Sequence, residues 1–288
     1  MGDAVRRIAD EQIEKAISSI ENMDRSDAIH DVRKRCKKLR GLIRLVRPVF
    51  EAYHDENAAF RDAARNISGA RDAKVMQGIC DLLESDLSDK VGKSAPCQIH
   101  ERFTMQCHSQ FDMENTGQRL DETRNCLLEV RDRVKSWDIS MDGWQAIKDG
   151  LKSNYKRAQH AARQARSCPD GQIFHELRKR VKYHWCHCRL LENIWPEMMI
   201  ARQHAARQLS DILGVHHDLD VFLGKFRTGQ FPLADPPDAD IVIDLARGHQ
   251  ARLEEQAWPL LDRLLAQSPK ALGIYNKSLW NSWRKAGA

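Results

Sequence analysis

The chain has 288 residues, of which 42% are hydrophobic and 30% charged, with a formal net charge of +5. This balance is typical of a globular chain with a sizeable core, and it excludes collagen-like and extensively disordered proteins. No run approaches the ~18 apolar residues of a membrane span, and the start lacks the apolar core of a signal peptide. The eight cysteines contain no Cys-x-x-Cys, which favours reduced thiols in a cytoplasmic protein.

Helical spacing of apolar residues runs through the first half, and no segment alternates with the period of a β-strand. Ser26 or Asp27 can cap the second helix and Pro48 ends it. Ser68-Gly69 separates the third helix from the fourth, a loop covers 88–97, and the fifth helix has a break near Thr116-Gly117. The predicted helices cover residues 3–22, 27–48, 55–67, 71–87 and 99–135.

The second half follows a linker at residues 136–143 and has a proline-rich loop at 228–240. Its predicted helices cover residues 143–166, 172–194, 197–213, 217–227, 240–266 and 270–285. The sequence therefore predicts an all-α fold of two helical bundles with about four helices each. The expected halves are residues 1–140 and 141–288, which together form one domain.

The second predicted helix carries a dense row of cations. Residues 29–48 carry eight Lys and Arg but one acid, Asp31, so the local charge exceeds that of the whole chain. At about 100° per residue, most of these cations share one arc of an amphipathic helix, opposite an apolar face. This first ridge consists of His30, Arg33, Lys34, Lys37, Arg40, Arg44 and Arg47.

A second copy of this pattern spans residues 174–196. The segments that follow the two copies, 67–75 and 213–221, correspond as well. Such internal repetition indicates a tandem duplication of about half the chain. The second ridge consists of His175, Arg178, Lys179, Lys182 and Arg189, which match His30, Arg33, Lys34, Lys37 and Arg44.

The two ridges favour a bound polyanion over a plain solvated surface. Solvated helix faces usually mix charges, because each like-charged i,i+4 pair costs about 0.2–0.5 kcal/mol, and the first ridge contains several such pairs. Acids of a neighbouring helix could neutralise them, so the solvated surface stays open as an alternative. Arg and Lys both suit phosphate oxygens, and a nearby phosphate would favour the charged form of the histidine that begins each ridge.

Among polyanions, inorganic polyphosphate fits the pattern better than nucleic acid. The chain has no helix-turn-helix or zinc-finger signature, and the ridges lack the Asn and Gln that read bases. Single-stranded nucleic acid requires exposed aromatics between cations, and aromatics make up only 7% of the chain, although Tyr183 and Trp185 lie in the second copy. A duplicated fold is expected to bring both ridges together about a pseudo-two-fold axis, where they would line one groove for a thin, flexible polymer.

These features resemble the CHAD domain, the conserved histidine α-helical domain, over nearly the whole chain. The resemblance is carried by His30-x-x-Arg33-x-x-x-Lys37-Lys38-x-Arg40, by His175-x-x-Arg178-x-x-x-Lys182-Tyr183, and by turns at Arg71-Asp72 and His217-Asp218. It implies two four-helix bundles, a basic central pore or groove that binds polyphosphate, and association with polyphosphate granules. Some members are fused to a CYTH triphosphatase; this chain has no Glu-x-Glu-x-Lys motif, so a stand-alone binding module is expected.

The expected polyphosphate-binding residues combine the ridges with Arg61 and Arg207, which occupy equivalent positions on the following helices. In full they are His30, Arg33, Lys34, Lys37, Lys38, Arg40, Arg44, His175, Arg178, Lys179, Lys182, Arg189, Arg61 and Arg207. Tyr183 and Trp185 stand where the first copy has Lys38 and Arg40. The second ridge is therefore less basic, and asymmetric binding is expected.

Catalysis is the weaker interpretation, so a non-enzymatic protein is expected. Polyphosphate hydrolysis would need carboxylates that hold a divalent metal beside the groove, and the ridges contain only Asp31 and Glu176, both off the basic arc. Asp72 and Asp218 are expected to cap helix starts. The alternatives are a nucleic-acid-binding helical protein and, third, a phosphate-processing enzyme; the oligomeric state stays open.

Two further groups are weaker candidates. His184 and Cys188 are one helical turn apart and could share a metal, but no third and fourth ligands occur at zinc spacing, so core packing is expected, with no metal or cofactor. Lys152, Tyr155 and Arg157 precede the second ridge and are less favoured as an extension of the basic surface.

Overall fold

The computed structural model describes residues 1–68, 75–76, 78–79, 81–83, 113–228 and 236–287. Every regular element in these ranges is helical, which confirms the all-α class. The first half contains α1 (Gly2–Asn22), α2 (Arg25–Leu45), α3 (Tyr53–Asn66) and α4 (Met113–Val134). The second half contains α5 (Gly143–Ser167), α6 (Gly171–Leu190), α7 (Pro196–Arg227), α8 (Pro236–Leu264) and α9 (Pro269–Ala286). Short 3-10 helices follow α2 at Arg47–Val49 and α6 at Glu192–Ile194.

Helices α1, α3, α5 and α9 agree with their predicted bounds within two residues. Helix α2 has Asp24 as its cap residue, rather than Ser26 or Asp27. It ends at Leu45, because Pro48 has no N–H to donate to the carbonyl oxygen of Arg44 and its ring would clash there, and the chain continues as a 3-10 turn.

The second copy behaves in the same way, since α6 ends before a 3-10 turn rather than continuing to residue 194. Helix α8 begins inside the predicted loop at 228–240. The loop predicted at 88–97 lies outside the described residues, as do most of the helix predicted at 71–87 and the first part of the helix predicted at 99–135.

The helices predicted at 197–213 and 217–227 form one continuous helix, α7. Leu213, His216 and Leu219 are all buried, so one packing face runs through the predicted break. This burial outweighs the glycine beside Leu213, since a glycine costs only about 1 kcal/mol in a helix interior. The predicted interruption of this helix is therefore wrong.

Gly214 and Asp218 have different roles from those the sequence predicted. Gly214 lies against Arg178 of α6, and a Cβ there would be 3.3 Å from the Nη2 atom. The glycine therefore leaves room for the guanidinium of Arg178. Asp218 lies inside α7, so the prediction that it caps a helix start is wrong. Its counterpart Asp72 and the neighbouring Arg71 lie outside the described residues.

Helix α4 is continuous through Thr116-Gly117, so the break predicted there is wrong. The helix packs against α1 and α3, and Leu120, Leu127 and Val130 are buried in that contact region. Burying three such side chains stabilises the helix by several kcal/mol, which exceeds the ~1 kcal/mol cost of the glycine.

The predicted linker at residues 136–143 is anchored to the first half. Trp137 is buried and packs on Phe50, with ring centroids 5.0 Å apart. Its indole nitrogen donates a hydrogen bond to Oε1 of Glu56 at 3.2 Å. Glu56 also accepts two hydrogen bonds from Arg133 of α4, at 2.9 and 3.1 Å. The carboxylate of Glu56 therefore joins α3, α4 and the linker.

Helices α2 and α6 each pack against several neighbours. Helix α2 contacts α1, α3, α5 and α6, and α6 contacts α5 and α7. Helix α8 packs on α7, and α9 packs on α5. One apolar cluster contains residues of both halves, among them Ile13, Leu39 and Phe174. Apolar packing therefore joins the predicted halves, 1–140 and 141–288, and the division between them stays a prediction.

Candidate functional site

Helices α2 and α6 cross where Gly41 meets Cys186. A Cβ on Gly41 would lie 2.5 Å from Sγ of Cys186, so any larger residue would force the helices apart. Nε2 of His187 lies 3.2 Å from the carbonyl oxygen of Gly41. Burial lowers the pKa of His187 to about 4, so the neutral ring donates this hydrogen bond. Gly41 and Cys186 occupy the same position in the two copies of the repeat.

The apolar faces of both helices point into the core. Val32 and Leu39 of α2 are fully buried, and so are Leu177 and Val181 of α6. Because polar and apolar positions alternate at helical spacing, the cations of the two ridges lie on the opposite side of each helix.

A pocket of about 380 Å³ lies between α2 and α6. Seven Lys and Arg side chains and two histidines line this α2–α6 pocket, and no carboxylate among the described residues does so. Its lining residues are His30, Lys34, Lys37, Lys38 and Arg40 of α2, with His175, Arg178, Lys179, Lys182, Tyr183, Trp185 and Cys186 of α6.

The acid on each ridge is held to the side of the pocket. Asp31 accepts hydrogen bonds from Oγ of Ser19 at 2.8 Å and from Nε of Arg35 at 2.9 Å. Burial acts to raise the pKa of Asp31, but these hydrogen bonds outweigh it and leave the pKa below its usual value. The counterpart Glu176 pairs with Lys179 and with an arginine one turn further along α6. Both carboxylates are therefore charged and already engaged.

The pKa of Lys38 is affected by the positive potential of this region. Burial, together with repulsion from Arg35, Arg189 and Lys34, lowers the pKa of Lys38 to about 8. Holding its ammonium charged costs free energy, and a bound anion would offset that cost.

A second, smaller pocket of about 230 Å³ adjoins the first and shares Lys37, His175 and Arg178 with it. Here His175 faces His217 of α7, with ring centroids 4.3 Å apart. Burial and the neighbouring cations lower the pKa of His175, and burial and His175 lower that of His217 to about 4. Both rings are therefore neutral at pH 7. Arg33 lines this side pocket and donates to the carbonyl oxygen of Ala64 at 2.8 Å.

The remaining predicted residues lie elsewhere. Arg44 lines a third pocket, beyond the crossing of the helices. Arg189 is exposed on α6, near enough to Lys38 to affect its pKa. Arg61 pairs with the adjacent Asp62 at 2.8 Å, and Arg207 is 72% exposed and lies 3.8 Å from an acid on its own helix. Neither Arg61 nor Arg207 lines any of these three pockets.

Residues near the end of α6 belong to the core, as expected from the sequence. His184 and Cys188 are buried, and Nη2 of Arg202 lies 3.3 Å from Nε2 of His184. Burial raises the pKa of Cys188 to about 11, so its thiol is protonated. No group of three or more potential metal ligands comes together in the part of the chain that the structure describes.

The secondary basic residues separate in the structure. Tyr155 is buried and donates to the carbonyl oxygen of Leu264 at 3.2 Å. Lys152 pairs with Asp149. Arg157 lines the third pocket together with Arg180. The sequence did not indicate Arg180 as a site residue, because it belongs to neither ridge.

The described residues thus form an all-helical protein in which two equivalent helices line a cationic pocket. The family model for the CHAD domain matches residues 7–227, so the chain belongs to the CHAD domain family. This match includes both ridges and ends with α7. A comparison with curated proteins found no match. Among the described residues, no helix is long and apolar enough to cross a membrane.

Proposed function

We propose that the protein binds inorganic polyphosphate, without chemical turnover, in a basic groove formed by the two ridges. The observation that carries this proposal is the lining of the α2–α6 pocket, where seven Lys and Arg side chains meet without a carboxylate among the described residues. Cations crowded on one side of each helix repel one another, and a polymer with one charge per phosphate offsets that repulsion at every position.

We further propose that the groove lies between two helical bundles related by a pseudo-two-fold axis. A residue that lies on such an axis contacts its own counterpart, and Gly41 and its counterpart Cys186 touch at the crossing. The neighbours correspond too, because α2 packs between α1 and α3 as α6 packs between α5 and α7. These two features support a duplicated arrangement in which equivalent cations approach one ligand from both sides.

Binding without turnover is supported by the state of the ridge carboxylates. Hydrolysis of a phosphoanhydride with metal assistance requires carboxylates free to hold a divalent cation. Asp31 is hydrogen-bonded to Arg35 and Ser19, and Glu176 is paired with Lys179 and Arg180. Both acids orient the basic side chains instead of facing the ligand.

Single-stranded nucleic acid is the second candidate, because Tyr183 and Trp185 line the α2–α6 pocket. Base stacking requires a free aromatic face. The ring of Tyr183 is covered by the guanidinium of Arg44 at 4.2 Å and is only 9% exposed, and Trp185 packs against the core. These contacts favour polyphosphate, which has no bases to stack.

Association with polyphosphate granules follows from this proposal, since a protein that binds the polymer is concentrated where the polymer accumulates. The family resemblance supports the same location. In cells, a fluorescently labelled protein is expected to colocalise with granules, and to lose that pattern when the ridge cations are removed.

A binding comparison tests the function directly. Long-chain polyphosphate, single-stranded RNA and duplex DNA would be titrated into the protein at equal charge concentration across a salt series. All electrostatic binding weakens as salt rises, so the preference at physiological salt discriminates among the ligands. Polyphosphate binding that outlasts both nucleic acids supports the proposal, whereas equal or tighter RNA binding contradicts it and favours the second candidate.

A further inference from the structure

The third pocket lies where the end of α2 meets α5. Gly150 of α5 packs against the backbone of α2, and a Cβ at this position would overlap the carbonyl oxygen of Leu45. This close approach leaves a pocket of about 260 Å³ at the junction of the two halves. Its lining, called here the arginine pocket, consists of Arg44, Arg47, Pro48, Gly150, Ser153, Asn154, Arg157 and Arg180.

Two of the four arginines are held by aromatic rings. The guanidinium of Arg44 lies 4.2 Å from the ring centroid of Tyr183, and that of Arg47 lies 4.8 Å from that of Tyr53. Nη2 of Arg44 also donates to Oδ1 of Asn57 at 3.3 Å. Such cation–π contacts fix the direction of a guanidinium without neutralising its charge.

Arg180 is fixed by a different contact, its ion pair with Glu176 on the preceding turn of α6. Nη1 of Arg180 and Nε of Arg44 are buried and have no hydrogen-bond partner among the described residues. Leaving a buried donor without a partner costs free energy. Both donors belong to guanidinium groups that line the arginine pocket, where a small anion could accept from them.

The charge of this pocket is incompletely balanced. Glu176 neutralises Arg180, and no acid lines the pocket among the described residues. Burial lowers the pKa of Arg157, and the charges of Arg180, Arg47 and Arg44 lower it further. The charges of Arg44, Arg47 and Arg157 therefore repel one another.

We propose that the arginine pocket is a second anion site, which binds a single phosphoryl group through the guanidinium groups of Arg44, Arg47, Arg157 and Arg180. Arginine forks donate paired hydrogen bonds to phosphate oxygens, whereas the α2–α6 pocket presents mainly lysines. The two pockets have no lining residue in common among those that the structure describes. The phosphoryl group can come from a free small anion such as pyrophosphate or from the end of a polyphosphate chain.

The test separates this site from the α2–α6 pocket. In a Lys37→Gln/Lys182→Gln background, which weakens the α2–α6 pocket, pyrophosphate binding would be measured by isothermal titration calorimetry. Arg157→Gln is added to this background, and Arg163→Gln serves as the matched control, because Arg163 is an exposed arginine on the same helix that lines none of the three pockets. Arg47→Gln provides a second variant of the site, and thermal unfolding checks that each variant is folded.

Loss of charge-assisted hydrogen bonds worth about 1.5–3 kcal/mol corresponds to roughly ten- to hundredfold weaker binding. We expect this loss for Arg157→Gln and for Arg47→Gln, with less than about twofold change for Arg163→Gln. Equal effects of Arg157→Gln and Arg163→Gln, or no pyrophosphate binding in the background protein, would overturn the proposal. Neither result bears on polyphosphate binding by the wild-type α2–α6 pocket, which is measured separately.

The source of the phosphoryl group is decided by a second titration. Short and long polyphosphate chains would be compared at equal concentration of chain ends, with the same variants. If Arg157→Gln weakens the binding of short and long chains equally, and pyrophosphate competes for the part of the binding that the substitution removes, the ligand is the chain end. If it weakens pyrophosphate alone, the ligand is the free anion.

Discussion

Replacing Gly41 by alanine tests the contact on which the whole site depends. The added Cβ would lie 2.5 Å from Sγ and 3.0 Å from Cβ of Cys186, so α2 and α6 must separate. Such overpacking costs about 1–3 kcal/mol, while Gly→Ala alone favours a helix by about 1 kcal/mol. The expected net destabilisation is up to about 2 kcal/mol, which lowers Tm by up to about 8 °C.

The assay is thermal unfolding of Gly41→Ala beside Gly248→Ala. Gly248 is also helical, but no described residue lies within 4 Å of a Cβ built there, so this control is expected to raise Tm slightly. Adding Cys186→Ala to Gly41→Ala removes the closest atom and should recover part of the loss, a coupling that a double-mutant cycle measures. If Gly41→Ala raises Tm as the control does, the helices do not meet at this glycine and the reasoning is refuted.

Three further predictions concern Lys38, His187 and Glu56. Burial and nearby cations lower the pKa of Lys38 to about 8, so polyphosphate affinity is expected to fall as pH rises through 8. The Lys38→Arg variant should keep its affinity at about pH 9, because an arginine stays charged there. The same pH dependence of affinity in both proteins would contradict this prediction. Burial lowers the pKa of His187 to about 4, below the ~6.5 of a histidine in the unfolded chain. Between these values the unfolded chain binds more protons than the folded protein, so the free energy of unfolding decreases as pH falls from about 6.5 towards 4. His187→Gln should show a smaller fall in Tm across that window, and a fall equal to that of the wild type would exclude this histidine as a cause. Glu56 is buried and accepts from Arg133 and Trp137, so Glu56→Gln should cost about 1.5–3 kcal/mol in urea unfolding, and an unchanged midpoint would show that these contacts contribute little.

The sequence predicted the all-α fold because apolar spacing is a local signal. It failed at α7, where the burial of Leu213, His216 and Leu219 continues across a glycine. A glycine that ends a helix and one that admits Arg178 from another helix have the same appearance in a sequence. Only the packing partner distinguishes them.

Most of the cationic lining could also be predicted, since residues on one helical arc stay together wherever the helix packs. Arg44 could not be placed in this way. It shares the arc with His30 and Lys37, but it lies beyond the crossing at Gly41, and its side chain enters the arginine pocket instead. The crossing point is a tertiary contact, so helical periodicity in α2 gives no indication of it.

Arg61 and Arg207 show the limit of the repeat as a guide. Equivalent positions in two copies predict equivalent surroundings, and both residues do lie near acids on their own helices. The repeat does not predict which side of α3 and α7 packs towards the ridges. The positions of Arg61 and Arg207 relative to the ridges depend on that packing, so the sequence could not give them.

The role of the ridges is tested most directly by charge reversal. Arg33, Lys37, Arg178 and Lys182 would be changed to glutamate together, beside a control that reverses four exposed cations outside the three pockets. The control set is Arg7, Lys135, Arg163 and Arg263. Both variants change the net charge equally, so nonspecific attraction to a polyanion is matched, and thermal unfolding verifies that both are folded.

Binding to long-chain polyphosphate at physiological salt is the measurement that decides. We expect the ridge variant to lose binding by roughly a hundredfold or more, because several charge-assisted contacts of about 1.5–3 kcal/mol each are removed, while the control retains most of its affinity. Equal losses in the two variants, or tight binding by a folded ridge variant, would contradict a polyphosphate site between α2 and α6.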